Sequence, residues 1–389
     1  MNAPLFFANA SDAAGRRFDL RVAEGRVAGT ALQPGDRVLD LAGRCLRPGL
    51  INAHDHLQLN SLPRLRYRHK HANVAEWIAD IDARRALDLQ LRANAARPKS
   101  ARLLAGGLKN LLAGTTTVAQ HDPWHPCLDD EDFPVRVLRS AWSHSLGLDG
   151  DEAVRAACCA APEGEPWIVH AAEGVDDAAG LEFARLEALG CIGPRTVLVH
   201  GLALDDKQQR RLMQAGGGLV WCPASNLHLF GRTIAPQALA AQGAQGRLAL
   251  GSDSRISGAR DLLDELAVAR QHCTLSEAAL EALVGTHAAA LLRLPDRGHL
   301  GRGARADLLV LPAGLALSRA RRADVELVAV DGRVLFADPQ LPGIDGHDLL
   351  PVRLDGRPKL LHARLVAALQ LEDVTEPGLD LAPAPEAQR

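Results

Sequence analysis

What this 389-residue chain lacks narrows it first. Its seven cysteines, at 45, 127, 158, 159, 191, 222 and 273, are odd in number and include no C-x-x-C pair. They outline no disulfide framework, and reduced thiols in a cytoplasmic protein are expected. There is no basic excess either: the formal net charge is -3, with both signs interspersed, which argues against a nucleic-acid partner. No stretch reaches about 18 uninterrupted apolar residues, and the opening MNAPLFFANASDAAGRR has neither a basic n-region nor an apolar run of signal-peptide length. A membrane partner is therefore not expected. Lysine is scarce, with five residues against fifteen histidines, so the positions of the histidines carry the information.

The middle of the chain repeats one unit, a short β-branched or apolar strand, a polar loop and an Ala/Leu/Arg-rich helical stretch. Strands are predicted at LINAH (50–54), TTTVAQH (115–121), VRVLRSAW (135–142), PWIVH (166–170), TVLVH (196–200), GLVWC (218–222) and RLALGSD (247–253). Between them lie helical patterns such as AEWIADIDARRALDLQLRANAA, SARLLAGGLKNLLAG and DDKQQRRLMQAG. This alternation predicts an α/β fold: a TIM-like (β/α) barrel over 49–297, irregular because seven strands are clear where eight are usual. Residues 1–48 and 298–345 read as short strands with Gly turns and are expected to pair into one small β-sandwich. The remainder, 346–389, predicts a helix at KLLHARLVAALQL and a disordered Pro/Ala-rich tail.

A lone His-x-His pair such as His54 and His56 is a weak signal, even though i and i+2 side chains share one face of a strand. The wider pattern is stronger. His54, His121, His170, His200 and Asp253 each fall at the C-terminal end of a predicted strand, the end at which parallel barrels gather their functional side chains. Three neutral imidazoles and one carboxylate, His54, His56, His170 and Asp253, make a site suited to Zn²⁺ or Fe²⁺. Glu173, three residues past His170, is then the natural proton carrier.

Six short motifs follow one another along the chain: PGLINAHDH (48–56), GTTTV (114–118), HAAE (170–173), VLVHG (197–201), CPASN (222–226) and LGSDS (250–254). In this order the sequence resembles the amidohydrolase superfamily. It is most similar to the aminohydrolase branch, the deaminases of cytosine, guanine and adenosine-like compounds and the related triazine hydrolases. GHLGRGARADLLVL, followed by VDGRVLF, is similar to the closing sandwich strands of that family.

The resemblance implies one divalent metal per chain, zinc before iron, held by His54, His56, His170 and Asp253. It implies that His200 hydrogen-bonds the attacking water and the developing oxyanion, that Asp253 accepts a proton from water, and that Glu173 delivers one to a ring nitrogen or leaving amine. A lysine-bridged two-metal site is excluded by inventory, since none of the lysines at 70, 99, 109, 207 and 359 ends a strand between 135 and 170. The strand-and-helix unit usual before the HAAE strand is missing or compressed. Gln58, His121, His125, His144, Asn226, His228 and Arg232 are therefore the candidates for the substrate wall, and the run RLRYRHKH (64–71) for meeting an anionic substrate. The implied reaction is hydrolysis at an sp² carbon bearing an amino group in a nitrogen heterocycle, with a small molecule as the partner. Hydrolysis of an amide or carbon–chlorine bond, a non-catalytic metal- or ligand-binding descendant, and a homodimeric assembly stay open.

Overall fold

The computed structural model describes residues 3–241, 244 and 246–381. Five strands open the chain: β1 (Leu5–Ser11), β2 (Arg17–Ala23), β3 (Arg26–Gly29), β4 (Arg37–Asp40) and β5 (Cys45–Pro48). β2 shows the period-two pattern of a half-buried strand, with Leu20 and Val22 inward and Arg17 and Arg21 outward.

The parallel strands follow. β6 (Leu50–Asp55), β7 (Thr115–Gln120) and β8 (Arg136–Leu138) form one arc. β9 (Ala141–Ser145), β10 (Trp167–Ala171), β11 (Thr196–His200), β12 (Gly218–Trp221) and β13 (Leu248–Leu250) form a second. Every residue of β6, β7 and β10–β13 is buried, as expected where helices cover one face of a parallel sheet and a packed interior fills the other.

Each predicted central strand forms at least in part, but RLALGSD is strand only over Leu248–Leu250, so Asp253 lies three residues beyond a strand rather than at its end. VRVLRSAW is broken, because Arg139 leaves the ladder to lie over the Trp124 ring at 4.3 Å and to pair with Asp129 at 3.0 Å. Its first half pairs with β7 and its second half with β10, so one stretch of chain passes between the two arcs. At the other margin, the segment after β13 bonds back to β6: Ser252 N–H donates to Asn52 Oδ1 at 2.9 Å and Asp253 N–H to the His54 carbonyl at 3.1 Å.

The helical pattern from 75 to 96 is not one helix but two, α1 (Val74–Arg84) and α2 (Leu89–Ala96). Asp88 makes the break, since its carboxylate accepts the N–H groups of Gln90 and Leu91 and starts a new helix there. α3 (Lys99–Leu112) follows, buried along most of its length.

After the second arc the chain returns to the first sheet through β14 (Leu308–Leu311), β15 (Leu327–Val330) and β16 (Arg333–Ala337). β5 and β14 pair antiparallel, with Leu46 opposite Val310, and so join the two ends of the chain. The expected boundary at 345 falls inside this sheet: β17 (Leu349–Leu354), β18 (Arg357–His362) and β19 (Leu379–Leu381) extend it to eleven strands. The first four residues of KLLHARLVAALQL are accordingly strand, and its helix is confined to Ala363–Leu371. KLLH alternates, with Lys359 and Leu361 buried, and Lys359 Nζ donates to the Val325 carbonyl at 2.6 Å. The tail from 382 onward lies outside the described residues. Among the described residues no helix is long and apolar enough to cross a membrane.

Candidate metal and acid–base site

The strand ends carry the histidines to one place. His54 lies in the last turn of β6, His56 just beyond it, and His170 near the end of β10. Their ligand atoms lie within 4.8 Å of one another. His170 Nε2 is 3.2 Å from His54 Nε2 and 3.3 Å from His56 Nε2. Asp253 Oδ1 stands 3.9 Å from His54 Nε2.

Hydrogen bonds on the far side of each ring assign the protons. His170 Nδ1 faces the His144 carbonyl at 2.8 Å, which can only accept, so the ring proton sits there. His56 Nδ1 donates to Asp122 Oδ2 at 2.9 Å. His121 Nε2 donates to the Ser143 carbonyl at 2.7 Å, which leaves His121 Nδ1 as an acceptor for His54 Nδ1 at 3.3 Å. His54 and His170 therefore present Nε2 lone pairs to the space they share with His56 Nε2, which presents a third once His56 gives up its second proton, and three such lone pairs converging suit a cation between them. Nitrogens about 2.0–2.1 Å from one tetrahedral zinc are separated by about this spacing, so the residues fit a divalent ion.

The electrostatics agree. Burial holds His54, His121 and His170 well below the ordinary imidazole range and so keeps all three neutral. For His56 burial works the same way, but the charge and hydrogen bond of Asp122, helped by Asp253 and Asp55, carry it up to about 9. Without a cation, the site thus keeps one proton on His56, which metal binding would displace.

Two carboxyls are driven apart. Burial pushes Glu173 well above the carboxylate range, and the charges of Asp253 and Glu182 add to it. Asp253 is equally buried, yet His56, His200 and the hydrogen bonds of Ser257 and Ser254 hold it below its ordinary value. Ser254 N–H and Ser257 Oγ–H donate to its two oxygens at 2.6 and 2.8 Å. Two acids held in opposite protonation states are the usual mark of divided acid and base roles. His200 lies between them: Nδ1 meets Asn226 Oδ1 at 2.9 Å, and Nε2 is 3.5 Å from Glu173 Oε1. Backbone strain collects here as well, with positive φ at Ala172 (54°), His200 (69°) and Asp253 (51°).

These groups line a cavity of about 270 Å³ whose floor holds His56, His170, Glu173, His200 and Asp253. Its wall comes largely from α1 and α2, through Val74, Trp77, Ile78, Ile81 and Leu91, with Leu148 and Ile256. α1 is fastened to the Glu173 loop: Val74 N–H donates to the Glu173 carbonyl at 3.0 Å and Val175 N–H to the Ala72 carbonyl at 2.7 Å. Gly174 permits this, since a Cβ there would stand 2.7 Å from the Ala72 oxygen.

Of the seven residues expected in the wall, only His144 lines the cavity. Gln58 donates to Asp122 at 2.8 Å, and His121 and Asn226 stand behind His54 and His200 as orienting groups. His125 caps the short turn Pro126–Asp129. His228 and Arg232 lie outside the cavity, His228 on the helix Pro223–Phe230 and Arg232 just after its left-handed cap at Gly231. The basic run 64–71 also stays out. Arg68 and His71 bind Asp80 at 2.6 and 3.1 Å, and Tyr67 binds Asp88 at 2.8 Å, so the run ties down α1 and the start of α2.

Sequence reasoning missed three groups. Asp122 was signalled by its position just past a strand end. Asp55 and Lys109 form a fully buried ion pair beneath the ligands, and a single lysine in the otherwise apolar LLAGGLKNLLAG was its trace.

Known proteins resemble this chain in sequence and in fold. A family model described as amidohydrolase family matches residues 71–336. A 5-methylthioadenosine/S-adenosylhomocysteine deaminase of Halobacterium salinarum is 26% identical over 371 residues, covering 80% of this chain and 86% of that protein. An 8-oxoguanine deaminase of Pseudomonas aeruginosa is 31% identical over 183 residues; that match takes in 41% of this chain and only 39% of the relative. Among solved structures, an adenosine deaminase from Xanthomonas campestris with bound zinc superposes with a TM-score of 0.69 at 18% identity, over 95% of this chain and 97% of that one. An atrazine chlorohydrolase from Arthrobacter aurescens complexed with zinc gives 0.69 at 17% identity, over 95% and 99%. At such identities the structural likeness establishes a TIM-barrel-like α/β fold.

Proposed function

This chain belongs to the amidohydrolase family, and from that membership we propose that it is a metal-dependent aminohydrolase that removes an amino group from a nitrogen heterocycle. The observation that carries the reading is the convergence of three imidazole Nε2 atoms, with spacings of 3.2 and 3.3 Å, beside one cavity lined by Asp253 and Glu173, whose surroundings favour the ionised form of the first and the protonated form of the second. The deaminase names of the relatives support the same reaction class.

His54, His56, His170 and Asp253 would hold one divalent cation per chain, zinc before iron, which supplies Lewis acidity to a water beside it. Asp253, ionised, takes a proton from the attacking water. His200, kept neutral by burial, accepts a hydrogen bond from the same water through Nε2. Glu173 gives its proton to the ring nitrogen and so makes the amino-bearing carbon more electrophilic. The water oxygen bonds to that carbon, the proton on Asp253 passes to the amino group, and the C–N bond breaks to release ammonia. The second water proton returns to Glu173 as the carbonyl forms. One water is consumed, and an oxo-heterocycle and ammonia leave.

The same reading takes the two parallel arcs as one barrel closed between β13 and β6, seven-stranded when β8 and β9 are counted as the halves of one broken strand, with the eleven-stranded sheet as a second domain built from both ends of the chain. Seven unpaired cysteines fit a reducing compartment, the cytoplasm.

Zinc-loaded protein tested on a panel of amino-substituted purines, pyrimidines and triazines should release ammonia from at least one. Glu173→Gln should lose about a thousandfold in turnover while retaining its zinc. Near-normal turnover in Glu173→Gln would overturn the acid–base assignment.

A further inference from the structure

The cavity holds one cationic group that the protein leaves unanswered. Arg102, in the first turn of α3, lines the cavity with Asn94, Ala95 and Leu148. Its Nε is buried without a hydrogen-bond partner, and its side chain makes no ion pair among the described residues. The other charged groups of the lining are all engaged. Arg85 pairs with Asp82 at 2.6 Å, Asp122 with His56 at 2.9 Å, and Asp253 with Ser254 and Ser257. The α1 and α2 part of the same wall is largely apolar, through Trp77, Ile78, Ile81 and Leu91.

A guanidinium cannot relieve this position by losing its proton, because it remains charged in proteins. A buried donor without an acceptor is also costly to maintain. The group that satisfies it best is a planar anion able to accept two parallel N–H bonds. We infer that the substrate is a nitrogen heterocycle bearing an anionic oxygen substituent, a carboxylate in the simplest case, which Arg102 receives while the amino-bearing carbon faces the strand-end histidines. Arg102 is then the specificity-determining residue. This rests on the aminohydrolase reading, since it is the position of the metal-side floor that orients the ring.

The test is calorimetric binding to zinc-loaded protein of heterocyclic carboxylates, each paired with its neutral carboxamide: nicotinate with nicotinamide, pyrazinoate with pyrazinamide, orotate with orotamide. In wild type, at least one carboxylate should bind about tenfold tighter than its carboxamide. The preference should vanish in Arg102→Met, which keeps most of the aliphatic stem, and return in part in Arg102→Lys, with zinc content and unfolding midpoint unchanged. Should Arg102→Met not fold, Arg102→Gln takes its place. The inference is overturned if no pair is discriminated, or if the preference survives removal of the guanidinium. Failure of the parent reading is seen separately, as loss of zinc binding or absence of ammonia release, neither of which enters this comparison.

Discussion

Lys109 Nζ lies 2.9 Å from the backbone carbonyl of Asp253 and 3.1 Å from a carboxylate oxygen of Asp55, and both side chains of the ion pair are fully shielded from water. A third bond, to Ser252 Oγ at 2.9 Å, completes the ammonium's shell. Asp55 sits between His54 and His56, so one lysine ties the first strand of the arc to the strained turn that presents Asp253. Lys109→Met would leave Asp55 buried with only amide donors, and should cost about 3–5 kcal/mol in stability. Adding Asp55→Asn should restore much of the loss. Chemical denaturation of the two single variants and the double variant checks this, and additive losses would contradict it.

Asp122 acts on the ligand set through His56. With Asp122→Asn, the Nδ1 proton loses its charged acceptor and the ring is less firmly held toward His170. Zinc affinity should fall by about 10–100-fold, with little change in fold. Competition against a chromophoric chelator measures it, and an unchanged dissociation constant would remove Asp122 from the account.

The pH dependence of stability has a local source in Glu265. Burial pushes its carboxyl up to about 8 from 4.5, against the opposing N–H bonds of Ala224 and Ala259. The folded state therefore keeps a proton that the unfolded state has already lost. The stability this group contributes is fully present below pH 4.5 and drains away as pH rises toward 8. The loss is on the order of 4 kcal/mol. In unfolding curves measured from pH 4 to 9, wild-type stability should fall between pH 4.5 and 8, and Glu265→Gln should lack this part of the fall. Equal slopes would refute the assignment.

Gly174 joins the wall to the acid. A methyl there would press on the Ala72 carbonyl, so Gly174→Ala should loosen α1 from the Glu173 loop at a cost of about 1–3 kcal/mol. Faster amide exchange at Val74 and Val175 than in wild type is the expected signature, since both N–H groups cross this contact.

The sequence pattern made the strands and their functional ends legible for a simple reason. A short apolar run that stops at a histidine marks both the strand and the place where its last side chain emerges. His54, His170 and His200 were placed at strand ends on that basis, and the structure brings His54 and His170 together with His56. The substrate wall was not. Trp77, Ile78, Ile81 and Leu91 carry the helical spacing that any core-facing helix carries, and only the fold tells a cavity from a core. Residues a few positions past a strand end were equally hard to place, because a single turn decides their direction. His228 and Arg232 fall outside the cavity, whereas Glu173, which follows the left-handed Ala172, lines it.

X-ray absorption at the zinc edge of the metal-loaded protein tests the central claim most directly. One equivalent of zinc with three imidazole nitrogens at about 2.0–2.1 Å and an oxygen-rich remainder is the predicted shell. An all-oxygen shell, or one with a single imidazole, would contradict it.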